Sequence, residues 1–335
     1  MILATAILFF VIAFRSYNVG LDTKVYAHYF ELMKGRPRYA AVLGWEPLYM
    51  AVNWLGTKIG GFQLVLIICA LITCVGFSYF AYKNTDDQTS IFWYFFFFIT
   101  FNLYFNSMHL IRQMCAVAIG INVYTVFRNG LCVKTYVKAA VLIILGSCFH
   151  ISALMCVVMA LPFMIKNLNR RKILWLVALA LVGIALISVG QEIVLKLVPR
   201  FTKYMSDDRL SEGHAGFLSY VMIVLKIVMI AFSLKLDSRK PENKELYRLT
   251  FMIVISTAFY IMQFRTQFAL RLGYFFEAFM PLYIPAFVRK LKDRSSRLLA
   301  YFFLFLFGLA YFTYMIAFGT IKSNRGCVPY TFFWQ

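Results

Sequence analysis

The sequence predicts an all-α polytopic integral membrane protein with about 10–11 transmembrane helices, some short or broken, and an interfacial or re-entrant helix on the outer face. Three features predict it. Hydrophobic residues make up 62% of the 335 positions and charged residues only 14%, where a soluble domain carries ~25% charge. Apolar runs near bilayer-spanning size recur along the whole chain. Lys and Arg, which bring the net charge to +20, fall in short clusters between those runs. The same features exclude a water-soluble enzyme, and 36 Phe with 21 Tyr exclude a solvated, disordered chain. A soluble nucleic-acid binder would gather its cations on one face, so nucleic acid is not an expected partner.

Each long apolar run must be helical, because a backbone in hydrocarbon has to satisfy its own polar groups. Residues 1–14 are apolar, with no basic leader and no small-residue cleavage site. They are short for a span and read as the end of one, with further apolar sequence expected upstream. A loop at 15–61 follows on the outer face. Inside it, Trp45-Glu46-Pro47-Leu48-Tyr49 opens a helix-like run to about Ile59, with Pro in the first turn where its missing N–H costs nothing. Counted as a full crossing, this run would place Lys83 on the wrong side. It therefore reads as interfacial or re-entrant, with its Trp and Tyr at headgroup depth. Spans follow at 62–82, then at 91–106 and 107–127 with a reversal at Asn106–Arg112, then at 136–149 and 150–165 with His150 at the reversal. The remaining spans are 173–190, 217–236, 249–262, 272–288 and 298–318. Loops 15–61 and 191–216 form the substrate-facing cover. No repeat or low-complexity linker interrupts the chain, so 1–335 reads as a single transmembrane domain.

Orientation follows from Lys and Arg in short loops. The segments Arg128–Lys138, Lys166–Lys172, Lys235–Arg248 and Arg289–Arg294, with Lys83 and Arg297, hold about half of the 34 basic residues and are assigned to the cytoplasm. Cys69, Cys74, Cys115, Cys132, Cys148 and Cys156 lie in or beside apolar runs without CxxC spacing, and read as small buried side chains.

On this topology the outer side collects Arg15, Asp22, Glu46, Arg112, His150, Arg200, Asp207, Asp208, Arg209, His214, Arg265, Arg271 and Glu277. An ionisable group at membrane depth costs several kcal/mol and usually faces a cavity and a partner. The four His are scattered, and HExxH, DxD, GxGxxG and GxxxxGK[ST] are absent, so neither a metal nor a nucleotide cofactor is expected. What remains is arginine beside aromatic residues. A guanidinium fork matches phosphate oxygens bidentately and stays charged, which suits a lipid-linked phosphate or pyrophosphate; the plainer alternative is snorkelling to ordinary headgroups. Arg112 stands inside an apolar helix rather than at a loop end. Arg265 and Arg271, six apart, cannot share one helical stripe, and a bend between them would let them converge. His150 serves either as a helix–helix hydrogen bond or as a functional group, Asp22 either as an N-cap or as a base, and Lys226, mid-span, calls for a partner or a cavity.

Several short elements occur in order: Arg15…Gly20-Leu21-Asp22…Tyr26, Glu46-Pro47-Leu48-Tyr49, Ile111-Arg112-Gln113 followed by small Ala116 and Ala118, Phe149-His150-Ile151-Ser152-Ala153-Leu154, Arg271-Leu272-Gly273-Tyr274-Phe275, and Val328-Pro329-Tyr330. Their order resembles the EpsG-type, Wzy-like polymerases of bacterial surface polysaccharides. The resemblance implies transfer of a growing glycan from undecaprenyl pyrophosphate to the non-reducing end of another lipid-linked repeat unit, without a metal, at the periplasmic face of the bacterial inner membrane. It implies lipid-linked oligosaccharide as donor and acceptor, membrane lipid as surroundings, and a chain-length regulator as a candidate partner. Arg112, Arg265 and Arg271, with Arg15 at the rim, would hold the pyrophosphate. Asp22, Glu46 and His150 compete as the base. Tyr26, Gln113, Tyr274 and Tyr330, with Tyr204, Asp207, Asp208, Arg209 and His214 of the 191–216 loop, would contact sugar. An O-antigen ligase-like transferase would use the same donor site, and a lipid-linked oligosaccharide flippase would need polar groups along a path to both faces.

Overall fold

The computed structural model describes residues 1–35, 44–189, 216–318 and 326–335. Among them there is no β-strand, only an isolated bridge between Arg15 and Phe332. In chain order the helices are α1 (Ile2–Ala13), α2 (Thr23–Gly35), α3 (Pro47–Lys58), α4 (Gly61–Asn84), α5 (Gln88–Thr100), α6 (Leu103–His109), α7 (Ile111–Gly120), α8 (Asn122–Arg128) and α9 (Val133–Ser147), then a 3₁₀ helix at Ile151–Ala160. They continue with α10 (Leu161–Met164), α11 (Arg170–Val189), α12 (Phe217–Ser233), α13 (Lys244–Met262), α14 (Gln267–Glu277), α15 (Met280–Val288) and α16 (Arg294–Phe318). The all-α expectation holds. Among the described residues three helices are long and apolar enough to cross a bilayer, α4, α13 with the short turn before it, and α16. The α5–α6 pair makes a fourth, bent by 49°, and shorter apolar helices such as α1, α12 and Ile151–Met164 accompany them. The bend has a local cause: Asn102 takes a left-handed φ of 67°, which breaks the helical ladder at the residue type best able to adopt it without being glycine.

Contacts divide the chain into two compact units, Met1–Ala160 with Lys292–Gln335, and Leu161–Leu291. In the first, side-chain register fixes the direction of each helix. The Thr5 hydroxyl meets that of Ser78, while Gln63 donates to the Ala13 carbonyl, so α1 and α4 are antiparallel. Trp93 stacks on Tyr301 at 4.5 Å, Phe96 on Phe305, and Phe105 meets Phe312, so α5–α6 runs parallel to α16. Gly76 and Gly308 permit the close approaches: a Cβ at the first would stand 2.6 Å from the Ala118 carbonyl oxygen, and at the second 2.7 Å from the Phe96 ring. Asp87 and Asp293 cap α5 and α16 through the backbone N–H of Ser90 and Ser296, each at 2.7 Å, and the bonds from Ser296 hold the Asp293 carboxyl below the usual range. Arg128 donates to the Lys83 carbonyl and lies 3.7 Å from Asp86. Lys83, Arg128, Arg294 and Arg297 therefore share one end of this unit. Asp22, Glu46, Arg112 and His150 share the other.

The 3₁₀ helix Ile151–Ala160 repeats every three residues. Ala153, Cys156 and Met159 are buried, while Ile151, Leu154 and Val157 are exposed. At ~2 Å per residue its ten residues reach about 20 Å, against ~15 Å as an α-helix, which lets the short apolar run 150–165 go further through a bilayer.

In the second unit Ile173 of α11, Leu234 just past α12, and Tyr247 and Val254 of α13 form a small core, close to Lys166, Arg170, Lys235 and Arg248 in the chain. The opposite end carries the α13–α14 turn, where Tyr220 of α12 packs on Phe264 at 4.7 Å. Between the two ends, buried Lys226 of α12 pairs with Glu277 of α14, both hydrogen-bond the Ser256 hydroxyl of α13, and the ammonium lies 3.4 Å from the centre of the Tyr260 ring. Glu277, assigned from sequence to the outer set, is thus an internal partner of Lys226, only 1% exposed. This is the partner that Lys226 calls for in the sequence.

Candidate active site

Arg112 is the second residue of α7, immediately after the break at Leu110 that separates α7 from α6. Its Nη1 donates to Glu46 Oε2 at 2.7 Å, with the two side chains only 14% and 10% exposed. The rings of Tyr26, Trp45 and Tyr49 surround the guanidinium at 5.7, 5.6 and 5.6 Å, and Trp45 lies 5.0 Å from Tyr49. Ring faces attract a cation by ~0.5–2 kcal/mol each in such positions. The box exists because Pro47 starts α3 as the sequence predicts: Glu46 is its N-cap, in extended conformation, and the Leu48 N–H donates to the Cys148 carbonyl at 2.9 Å. Glu46 Oε1 accepts from the Ile151 N–H at 3.2 Å. Both carboxylate oxygens are therefore engaged, and Glu46 acts as the seat of Arg112. Among the described residues Arg112 Nε is buried without a hydrogen-bond partner. That nitrogen is enclosed, so an anion would meet the guanidinium through the 14% of the side chain that stays accessible. Trp45 and Tyr49, placed at headgroup depth by the sequence reading, are instead buried, at 8% and 0% exposure. Their polarisable faces are turned to a cation rather than to lipid.

A second group lies at the same end. Asp22 precedes α2, and its carbonyl accepts from the Tyr26 N–H, the first bond of the helix. Its carboxylate Oδ2 is 3.7 Å from His109 Nδ1, with the Asp side chain 38% exposed and the His buried behind it. The Met108 carbonyl fixes this geometry by accepting from both Arg15 Nη2 at 3.1 Å and the Thr23 hydroxyl at 3.0 Å. Gly20, at φ +90°, lies so close that a Cβ would stand 2.4 Å from that same oxygen. Arg15, expected at the rim, is 1% exposed and donates also to the Ile12 carbonyl. It is a clamp on the backbone, because a buried guanidinium must spend its donors on the carbonyls that the α1 end and the α6 break leave open. The tail closes over it: the Ser16 N–H donates to the Thr331 carbonyl, the Gly20 N–H to the Gly326 carbonyl, and the Tyr330 hydroxyl to the Val11 carbonyl.

His150 occupies the turn between α9 and the 3₁₀ helix, as the sequence suggests. The Ser152 N–H donates to its Nδ1 at 3.3 Å and the Ser152 hydroxyl lies 2.6 Å from the same atom. A backbone N–H can only donate, so Nδ1 is the acceptor and the neutral ring carries its proton on Nε2. In that tautomer His150 is suited to donate towards an anion rather than to take a proton.

In the second unit the bend expected between Arg265 and Arg271 is present: α13 ends at Met262, and the Thr266 N–H donates to the Met262 carbonyl before α14 begins. Arg265 is exposed, Arg271 half-buried and Tyr274 buried. In the first unit Gln113 is buried beside Arg112 and Tyr330 is half-buried. Tyr204, Asp207, Asp208, Arg209 and His214 lie outside the described residues. Among the described residues no three His, Cys, Asp or Glu side chains gather at metal-binding range. Sequence reasoning missed His109 as the neighbour of Asp22, and missed Tyr26, Trp45 and Tyr49 as a cation box. The i, i+4 spacing of Trp45 and Tyr49 was the available signal for the second.

The site thus holds a part-accessible cation in an aromatic box, a histidine at a turn and a part-exposed carboxylate, at one end of a helical unit, and such a set can bind an anion. Neither the curated proteins nor the solved structures yield a match to this chain. The family comparison does, over residues 1–332, and it makes the chain a member of the EpsG family, the Wzy-like polysaccharide polymerases.

Proposed function

We propose that this membrane protein extends a glycan by moving the growing chain from undecaprenyl pyrophosphate to the non-reducing end of a second lipid-linked repeat unit, at the outer face of the bacterial inner membrane. The observation that carries this reading is the boxed, part-accessible Arg112 at the end of the first unit opposite Lys83, Arg128, Arg294 and Arg297. Positive loops stay inside, so the box faces outward.

The acceptor hydroxyl attacks the anomeric carbon of the growing chain, the bond from that carbon to the diphosphate oxygen breaks, and negative charge builds on the departing diphosphate. Fixed donors aimed there stabilise the transition state more than the ground state. Arg112 supplies them and His150 adds its Nε2–H, while for Arg265 and Arg271 the phosphate role rests on the family resemblance alone. The hydroxyl proton passes to Asp22, since Glu46 is committed to Arg112 and His150 offers a proton rather than a lone pair. His109 and Arg15 position Asp22. Tyr26, Gln113, Tyr274 and Tyr330, with the 191–216 loop, contact sugar.

The test is the product ladder. Arg112→Ala and Arg271→Ala should reach the membrane at normal level yet leave single-repeat lipid-linked product, and Lys at either site should restore length only in part. Long polymer from both Ala variants would refute the phosphate role. Loss of attached polymer with intact lipid-linked chains would mean ligase chemistry, and repeat units trapped on the inner leaflet would mean a flippase.

A further inference from the structure

The basic end of the second unit carries a half-open cavity of about 510 Å³, within the ~300–1,000 Å³ range of small-ligand pockets. The proposed reaction makes no use of it. Four cations line it: Lys166, Arg239, Lys244 and Arg248. Asp237 answers Arg239 at 3.3 Å and Glu245 answers Arg248 at 3.3 Å. Among the described residues no carboxylate pairs with Lys166 or Lys244. The cavity thus keeps a surplus of positive charge, which repels itself beside low-dielectric helices unless an anion enters.

The walls are built rather than merely charged. Arg248 lies 4.5 Å from the centre of the Phe163 ring, Lys172 donates to the Lys166 carbonyl, Asn167 turns the loop at φ 53°, and Asn243 donates to the Asp237 carbonyl at 2.9 Å. The other wall is apolar, made by Phe163, Ile165 and Leu168, and it adjoins Leu161 and Met164, which are 39% and 54% exposed. Cations on one side and lipid-facing apolar surface on the other match an amphiphile better than a soluble anion. We propose that this cavity holds the phosphate headgroup of an anionic phospholipid of the inner leaflet, with its acyl chains along the exposed face of α10. Basic pockets among membrane helices on the cytoplasmic side are suited to such headgroups, at a gain per cation that corresponds to about fivefold in affinity.

Native mass spectrometry of the detergent-purified full chain, offered chain-matched cardiolipin, phosphatidylglycerol and phosphatidylethanolamine, tests this. The two anionic lipids should be retained in preference to phosphatidylethanolamine. Lys166→Gln and Lys244→Gln should each lower that retention about fivefold and together about 25-fold, while Lys83→Gln, which removes the same charge from the basic end of the first unit, should leave it unchanged. Both lysines are exposed, so the variants keep the fold. Equal losses from Lys83→Gln, or none from the cavity variants, would overturn the site. If inorganic pyrophosphate displaced the lipid and bound alone with the same lysine dependence, the ligand would be a soluble phosphate compound and the lipid assignment would fall.

Discussion

Each unit is organised around an ion pair, and the two differ in what the protein leaves open. Lys226–Glu277 is enclosed, its members 0% and 2% exposed, with Ser256 shared between them and Tyr260 over the ammonium. Arg112–Glu46 stands at the end of its helices, keeps a part of each side chain accessible, and leaves Arg112 Nε unpartnered among the described residues. A part-accessible guanidinium can exchange part of its coordination for a substrate oxygen, whereas a buried ammonium that is already coordinated ties helices together. A charge at membrane depth is thus not functional by virtue of depth alone. Access makes the difference, since among the described residues each pair keeps one unpartnered buried atom, Arg112 Nε in the first and Glu277 Oε1 in the second.

The sharpest way to break this comparison is to remove one charge from the enclosed pair. Lys226→Met leaves Glu277 ionisable and uncompensated in an apolar interior, which costs ~3–5 kcal/mol. Thermal unfolding in detergent should show a large loss. The triple variant Lys226→Met, Glu277→Leu, Ser256→Ala removes every stranded polar group, and should recover most of that stability together with polymer synthesis. A triple variant that is stable yet inactive would give the enclosed pair a role in the reaction.

The matching replacement in the first unit should do the reverse. Arg112→Met with Glu46→Leu fills a box already walled by Tyr26, Trp45 and Tyr49, and the Ile151 N–H that loses Glu46 belongs to an exposed residue that water can serve, so unfolding should change little. Polymer formation should fall about 10²–10³-fold, the usual consequence of losing a donor to developing charge. Equal loss of stability in the two apolar replacements would erase the distinction between the units.

Much of the first unit was legible in the sequence, for local reasons. Pro47 after Glu46 starts α3 where expected, α4 covers the predicted 62–82, and His150 falls at a turn, because N-caps, apolar runs and polar reversals are features of neighbouring residues. The pairings were not legible. Arg112 meets Glu46 across 66 positions and Lys226 meets Glu277 across 51, and no local pattern specifies such a partner. Arg15 read as a rim cation because charge suggests exposure, yet its neighbours offer open carbonyls that only a buried donor can reach. The 3₁₀ path of Ile151–Ala160 escaped because the run is apolar at nearly every position, so it displays no period to read. The α5–α6 break rested on Asn102 alone.

A smaller effect is expected from the loop that presents Asp22. Gly20→Ala places a Cβ against the Met108 carbonyl, at a φ of +90° that only glycine adopts freely. Strain of that kind costs ~1–3 kcal/mol. The chain should still accumulate in the membrane, but the shift of Asp22 away from His109 should lower kcat about tenfold with KM for lipid-linked repeat little changed. A rise in KM alone would place the loop in binding rather than in proton transfer.

Glu46→Gln tests the first unit most finely, and its expected effect is the smallest. The amide oxygen can still accept from the Ile151 N–H, so the start of the 3₁₀ helix is kept. What disappears is the negative charge that competes with substrate phosphate for Arg112. If Glu46 only seats the guanidinium, KM should hold steady or fall and kcat should drop no more than about tenfold, equivalent to ~1.4 kcal/mol of lost orientation. If Glu46 were instead the group that accepts the hydroxyl proton, the amide could not replace it, and kcat should fall about 10²–10⁴-fold. The same assay on Asp22→Asn should show the larger fall. A reversal of that order would move the proton-accepting role from the loop before α2 to the start of α3, and the exposed carboxylate beside His109 would then be a helix cap.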